Sequence, residues 1–144
     1  MPTDGYSGTP LPKKLGLKAG QSAAFVALPA SLEALAGAEA FAEVDRADAA
    51  DQLGPTAAHD VIHAFYTSAH ELELALGCLK AAITPTGMIW ISWPKKAAKL
   101  QTDITEDVIR RLALARGLVD VKVCAVDGVW SGLKLVIPLA QRLR

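Results

Sequence analysis

What this chain of 144 residues lacks narrows it before anything it contains. There are only two cysteines, Cys78 and Cys124, and they fall in different expected elements. No disulfide framework or Cys-x-x-Cys motif can be built from them, so two buried free thiols in a reducing compartment are expected. No apolar run approaches the ~20 residues that a membrane span needs. The polar N-terminus shows no signal-peptide pattern, which makes a cytoplasmic protein without a membrane partner the expectation. Neither sign of charge is in excess, because Lys plus Arg and Asp plus Glu each number 15. A balanced chain has no overall positive field to draw in nucleic acid, and no basic motif is interleaved with aromatics, so no nucleic-acid partner is expected. Gly54-Pro55 and Gly5 to Gly8 are not followed by Gly-Lys-Ser/Thr, which excludes a phosphate loop. No His-Glu-x-x-His and no Ser-His-Asp order occurs. His59 and His63 are spaced four apart, but in an expected strand they stand about 13 Å apart on one face. No metal site and no catalytic constellation are therefore expected.

What is present is apolar and well punctuated. Hydrophobic residues make up 51% of the chain and mean hydropathy is +0.27, which suits one domain whose sheet is covered on both faces. The run from Asp60 to Lys96 carries the most information. Val61 to Tyr66 is an apolar stretch of strand length. Ser68 and Glu71 then form a capping box, and Leu72, Ala75, Leu76, Leu79 and Ile83 recur at helical spacing. Thr84-Pro85-Thr86-Gly87 stops that helix, and Met88 to Trp93 is a second strand. This βαβ unit requires two parallel strands with a right-handed crossover.

The rest of the chain follows the same alternation. Residues 1–14 form an N-terminal arm, rich at first in Gly, Pro, Ser and Thr, and residues 15–144 form the domain. Gln21 to Leu28 reads as the first strand, Pro29 to Gly37 as a short helix, and Phe41 to Val44 as a short edge strand that could pair with a second copy. Arg46 to Leu53 fits one or two helical turns. Asp103 and Glu106 offer a second helix cap, and Gly117 is its stop. Val119 to Ala125 alternates with period two, and Asp127-Gly128 turns the chain into a last strand, Leu133 to Ile137. The expected architecture is an open, mainly parallel α/β sheet of about six strands, closed by a C-terminal antiparallel hairpin, with helices on both faces.

Open α/β sheets bind ligands outside the carboxyl ends of their strands. Pro29 and Ser31, Asp45, the run from Tyr66 to His70 that includes Ser68, and Trp93 to Lys96 are placed there. A helix N-terminus attracts anions through its free N–H groups and its dipole, so Ser68 and His70 beside Lys95 and Lys96 describe a phosphate or carboxylate site. Lys13 and Lys14 can join it, since a dozen extended residues at ~3.3 Å each cross a small domain. The charges are uneven along the chain: Lys13, Lys14 and Lys18 cluster early, Lys95, Lys96 and Lys99 late, and acids concentrate between Glu33 and Asp60. The hairpin turn with Trp130 is expected at the opposite rim from Trp93, and Lys134 at the surface.

The order of elements is similar to that of class I S-adenosylmethionine-dependent methyltransferases. The segment from Leu79-Lys80 to Gly87 resembles their helix-to-strand turn, and Leu15-Gly16-Leu17-Lys18-Ala19-Gly20 resembles the lead-in to their first strand. The resemblance spans residues 15–138 and is short by about one βα unit. It implies a Rossmann-like fold, with Asp45 as a possible ribose contact. The glycine-rich turn that lets the backbone approach the cofactor in that family has Leu28, Pro29, Ala30, Ser31 and Leu32 in its place. A more specific resemblance is to a small family of short bacterial proteins of unknown function. It rests on three stretches: Tyr6-Ser7-Gly8-Thr9-Pro10-Leu11 leading to Lys13-Lys14-Leu15-Gly16, then Trp93-Pro94-Lys95-Lys96, then Asp127 to Lys134 with Val129-Trp130-Ser131-Gly132. That likeness implies a fold and no activity. The sequence thus leads to a non-catalytic binding module with no cofactor, holding a small anion or a protein partner at the strand ends. A divergent S-adenosylmethionine- or nucleotide-dependent transferase using Asp45, His70 and Lys95 is the alternative. Oligomeric state is not encoded legibly.

Overall fold

The computed structural model describes residues 10–53 and 57–142. The stretch from Tyr6 to Thr9 and the Gly54-Pro55 break lie outside the described residues. Six strands, β1 (Ser22–Val26), β2 (Glu43–Ala47), β3 (His59–Phe65), β4 (Ile83–Pro94), β5 (Val119–Ala125) and β6 (Trp130–Val136), form one sheet in the order β2-β1-β3-β4-β6-β5. The pairs among β2, β1, β3 and β4 are parallel, and β6 inserts antiparallel between β4 and β5. Helix α1 (Leu11–Lys14) is a single turn, α2 (Ala69–Ala82) is the crossover between β3 and β4, and α3 (Glu106–Ala115) precedes β5. The expected mainly parallel sheet with its closing antiparallel hairpin is what the chain forms.

The two faces of the sheet are covered differently. Ile62, Ala64, Ile89, Ile91 and Leu133 point to the face packed by Leu72, Leu76 and Leu79 of α2 and Ile109 of α3. Their neighbours one residue along, Val61, Phe65, Met88, Trp90 and Val136, point to the other face. Among the described residues no long helix covers that side. It is closed by Leu32 and Leu35 of a 3₁₀ segment (Ala30–Gly37), and by Leu15 and Leu17, which follow α1 and cross the sheet as a strap. A strap has backbone groups that a helix would satisfy internally, so they need partners from the sheet. Trp90 supplies one, its Nε1–H donating to the Leu15 carbonyl at 2.8 Å in a fully buried bond.

Local chemistry explains the boundaries. Ser68 Oγ accepts the Glu71 N–H and opens α2 as its capping box predicts. In α3 the cap is Thr105, which accepts the Val108 N–H, and not Asp103. Gly117 stops α3 at φ +77°. The expected break at Thr84–Gly87 is instead the start of β4, which begins at Ile83. Gly87 is needed there: a Cβ would lie 3.0 Å from the His59 carbonyl and 3.1 Å from that of Asp60, where the β3–β4 register shifts. The edge strand β2 lies at Glu43–Ala47, later than the expected Phe41–Val44. Trp130 pairs with Pro94 and Ser131 with Trp93, so both tryptophans sit at one rim and not at opposite ones. The expectation failed because an antiparallel β6 begins beside the end of β4, which puts the hairpin turn before it at the rim that carries Trp93.

Replacing Trp90 by Phe keeps the ring packing and orphans the buried Leu15 carbonyl. Trp90→Phe is expected to destabilise the fold by about 1–3 kcal/mol in urea unfolding. It should also speed tryptic cutting at Lys13, Lys14 and Lys18, and unchanged cutting would mean that the strap is held by something else.

Candidate functional site

The carboxyl ends of β1 and β2 form a crevice. β1 ends in Ala27, whose φ of +55° is left-handed, a conformation that glycine adopts freely and alanine only at a cost. Its N–H donates to the Ala47 carbonyl at 2.9 Å, which pins the turn to the end of β2. The turn after β1 thus takes a glycine-like backbone shape without a glycine. Two cavities flank it. One of about 190 Å³ is lined by Phe25, Ala27, Leu28, Arg46 and Gln52, among others. One of about 370 Å³ is lined by Asp51, Tyr66, Glu71, Leu74, Ala75 and Cys78. Asp48, directly after β2, lines both. Tyr66 is 8% exposed, and its hydroxyl has no hydrogen-bond partner among the described residues. Burial, reinforced by Cys78 and Glu71, pushes the phenol pKa upward, so Tyr66 is a neutral donor. Asp48, Asp51 and Glu71 give the larger cavity an acidic wall.

Asp45 is not at this edge. It pairs with Ala24 inside β2, and its carboxylate lies 3.1 Å from His59 Nε2. The acid that follows the strand is Asp48, and the late start of β2 accounts for the difference. His59 Nδ1 in turn lies 3.1 Å from Ser22 Oγ, so Asp45, His59 and Ser22 form a relay that chain order did not suggest. Ser22 Oγ also faces Glu43 Oε1 at 3.3 Å, and neither Ser22 nor His59 lines any of the three cavities described for this chain, so the relay ties β2, β1 and β3 together. His59 and His63 were expected on one face. The irregularity between His59 and Val61 separates them, and His63 stacks on Phe65 on the strap side.

The anion site expected at the start of α2 is differently built. The Ala69 N–H at that terminus already donates to Asp103 Oδ1 at 2.8 Å, and Thr102 Oγ1 donates to the Thr67 carbonyl at 2.7 Å. The loop after β4 therefore folds back and places the chain's own carboxylate there. His70 is exposed, and Trp93, at 8% exposure, is buried in the core under α2 and α3. Lys95 turns away toward the hairpin, where its N–H donates to the Val129 carbonyl at 2.7 Å. Lys14 reaches the same neighbourhood, with Nζ 3.3 Å from the Ala125 carbonyl. Cys124 registers both: burial raises its thiol pKa while the charges of Lys14, Lys122 and Lys95 lower it. The structure thus brings Lys14 and Lys95 together beside Cys124 and leaves Lys13 and Lys96 exposed. Trp130 packs edge-on against Phe65 at 5.2 Å and covers the hairpin end of the strap-side core.

With this geometry in place, the likeness to known proteins is specific in fold. A crystal structure of a SAM-dependent methyltransferase from Aquifex aeolicus superposes with a TM-score of 0.66 at 19% identity, covering 88% of this chain and 87% of that one. The CcbJ methyltransferase from Streptomyces caelestis gives 0.61 at 10% identity, covering 93% and 98%. PigF with SAH gives 0.59 at 10% identity, covering 82% and 57%. The chain therefore has the fold of class I S-adenosylmethionine-dependent methyltransferases. No family model and no curated protein matches the sequence, so the likeness to the small bacterial family rests on the three stretches alone. Among the described residues no group of His, Cys, Asp or Glu could hold a metal ion, and no helix is long and apolar enough to cross a membrane.

His63 sets a pH dependence. It is 1% exposed, its Nε2 shares a 2.6 Å hydrogen bond with Ser92 Oγ, and its Nδ1 has no partner. Burial pushes its pKa down to about 3. The unfolded chain takes up this proton near pH 6.5 and the folded chain refuses it until about 3. The stability from a neutral His63 is therefore complete above pH 6.5 and is lost as pH falls toward 3. In urea unfolding, the wild type should lose about 1.4 kcal/mol more per pH unit than His63→Gln across that window. Parallel curves would place the acid sensitivity elsewhere.

Proposed function

We propose that the chain binds S-adenosylmethionine, or a closely related adenosyl compound, in the crevice at the ends of β1 and β2, and acts as a divergent transferase of the methyltransferase fold. The observation that carries this reading is the buried, unpartnered hydroxyl of Tyr66, a residue that lines a cavity together with Asp48, Asp51 and Glu71. A buried donor without a partner is costly, and a ligand with hydroxyl or ring-nitrogen acceptors relieves it. Carboxylates suit the same ligand twice, since they accept from sugar hydroxyls and attract a sulfonium or ammonium group. The left-handed Ala27 supports the reading because it bends the chain out of the way where a cofactor would pass.

These residues fit the group that the fold implies. Asp48 would accept from its ribose hydroxyls, Tyr66 would donate to it, and Leu74 with Ala75 would supply the apolar wall. When bound, S-adenosylmethionine supplies an activated methyl group. The chain's own contribution is then positioning, which by itself lowers a barrier substantially when the reacting groups are held in line.

A second reading, a binding module that transfers nothing, is favoured by one detail. Ala27 keeps a Cβ on the turn that glycine usually leaves bare. Calorimetry with S-adenosylhomocysteine and Tyr66→Phe separates the possibilities. Removing an orphaned hydroxyl should leave the free protein as stable as wild type or more so. The same change should weaken adenosyl binding about 5–10-fold, equivalent to about 1–1.4 kcal/mol. Absence of binding by the wild type would remove the proposal, while binding without methyl transfer to any acceptor would select the module.

A further inference from the structure

A further cavity lies at the opposite end of the sheet, where the parallel strands begin. It has a volume of about 670 Å³, and its wall includes Lys18, Gln21, Asp60, Lys134 and Arg142. Lys134 stands on the strap-side face opposite Trp90 of β4, and directly opposite Lys122 of β5. Like charges facing each other across two strands destabilise a sheet. Among the described residues Lys18, Lys122, Lys134 and Arg142 make no ion pair, and Lys122 Nζ donates only to the neutral Lys14 carbonyl. Burial depresses the Lys134 pKa, and Lys122 and Lys18 depress it further, which marks a concentrated positive field. Arg142 is held at the wall by its Nε–H, which donates to the Ile137 carbonyl at 2.7 Å. Asp60 is the one acid in the lining, and its Oδ2 is engaged by the Ser22 N–H at 2.8 Å.

Three cations around a concave space with one engaged carboxylate call for a multivalent anion. Lysines act on phosphate as point charges and arginine as a planar two-toothed donor. The volume falls within the range of small-molecule sites and is large enough for a nucleotide-sized ligand. We propose that this amino-edge cavity binds a polyphosphate group, with Lys18, Lys134 and Arg142 as its contacts. The site is separate from the crevice at the ends of β1 and β2 and does not depend on it.

The test measures thermal shift and calorimetric binding of inorganic pyrophosphate to the full chain at low ionic strength, with wild type and Lys134→Gln. Lys134→Gln relieves the facing charges, so its melting temperature without ligand should rise. Its pyrophosphate affinity should fall at least fivefold, and Lys18→Gln should lower it as well. Because one variant is stabilised while losing ligand, misfolding cannot imitate the result. ATP serves as a second probe: affinity well above that of pyrophosphate and sensitive to Lys134→Gln identifies a nucleotide as the source of the phosphates, and equal affinity identifies free polyphosphate. The proposal is overturned if wild type does not bind pyrophosphate, if Lys134→Gln binds it equally well, or if only a single-stranded RNA oligomer binds.

Discussion

The structure depends on closing a sheet that is apolar on both faces with cover on one side that is not helical. α2 and α3 satisfy their own backbones and need only present apolar side chains. The strap from α1 through Leu17 cannot do so, and its seating relies on the buried Trp90–Leu15 hydrogen bond. Trp90 meets both demands, since its ring fills the space beneath the strap and its N–H ties the strap down. The segment that seats Leu15 also carries Lys14 to the carboxyl rim and Lys18 to the amino edge. One anchoring bond therefore positions basic groups at both ends of the sheet.

Charge is balanced over the chain but not over the molecule. Glu43, Asp45, Asp48 and Asp51 lie on β2 or just after it, at one edge of the sheet, with Glu33 paired to Arg46 nearby. Lys122 and Lys134 lie on β5 and β6 at the other edge, joined by Lys14 from the strap. The acidic edge borders the crevice proposed for a cationic adenosyl ligand, and the basic edge borders the cavity proposed for polyphosphate. Opposed fields at the two edges let one small domain attract ligands of opposite sign without either masking the other.

Much of the fold was legible because local signals agreed. The Ser68–Glu71 box, the spacing of Leu72 to Leu79, Gly117 and the alternation from Val119 to Ala125 each mark an element that the structure contains. Several of the misplaced strand boundaries involve polar residues inside strands. Thr84, Thr86, Asp45 and Ser131 read as turns or ends, yet they sit in ladders whose neighbours tolerate them. The site was less legible for the same reason. Moving the end of β2 by three residues transfers the rim acid from Asp45 to Asp48. The filling of the α2 terminus by Asp103 depends on how a loop folds back, which no local pattern encodes. Tyr66 carried a usable signal, a polar aromatic at the end of an apolar strand, but its lack of a partner is a tertiary fact.

Asp103 has a consequence of its own. A carboxylate on the same chain sits at the α2 terminus at an effective concentration in the millimolar range or above, as short tethers generally provide. A free anion must outcompete it there, and small anions at ordinary cellular levels bind single helix termini too weakly to do so. The loop from Lys99 to Thr105 thus keeps that amide engaged, and a ligand seeking it would have to displace Asp103.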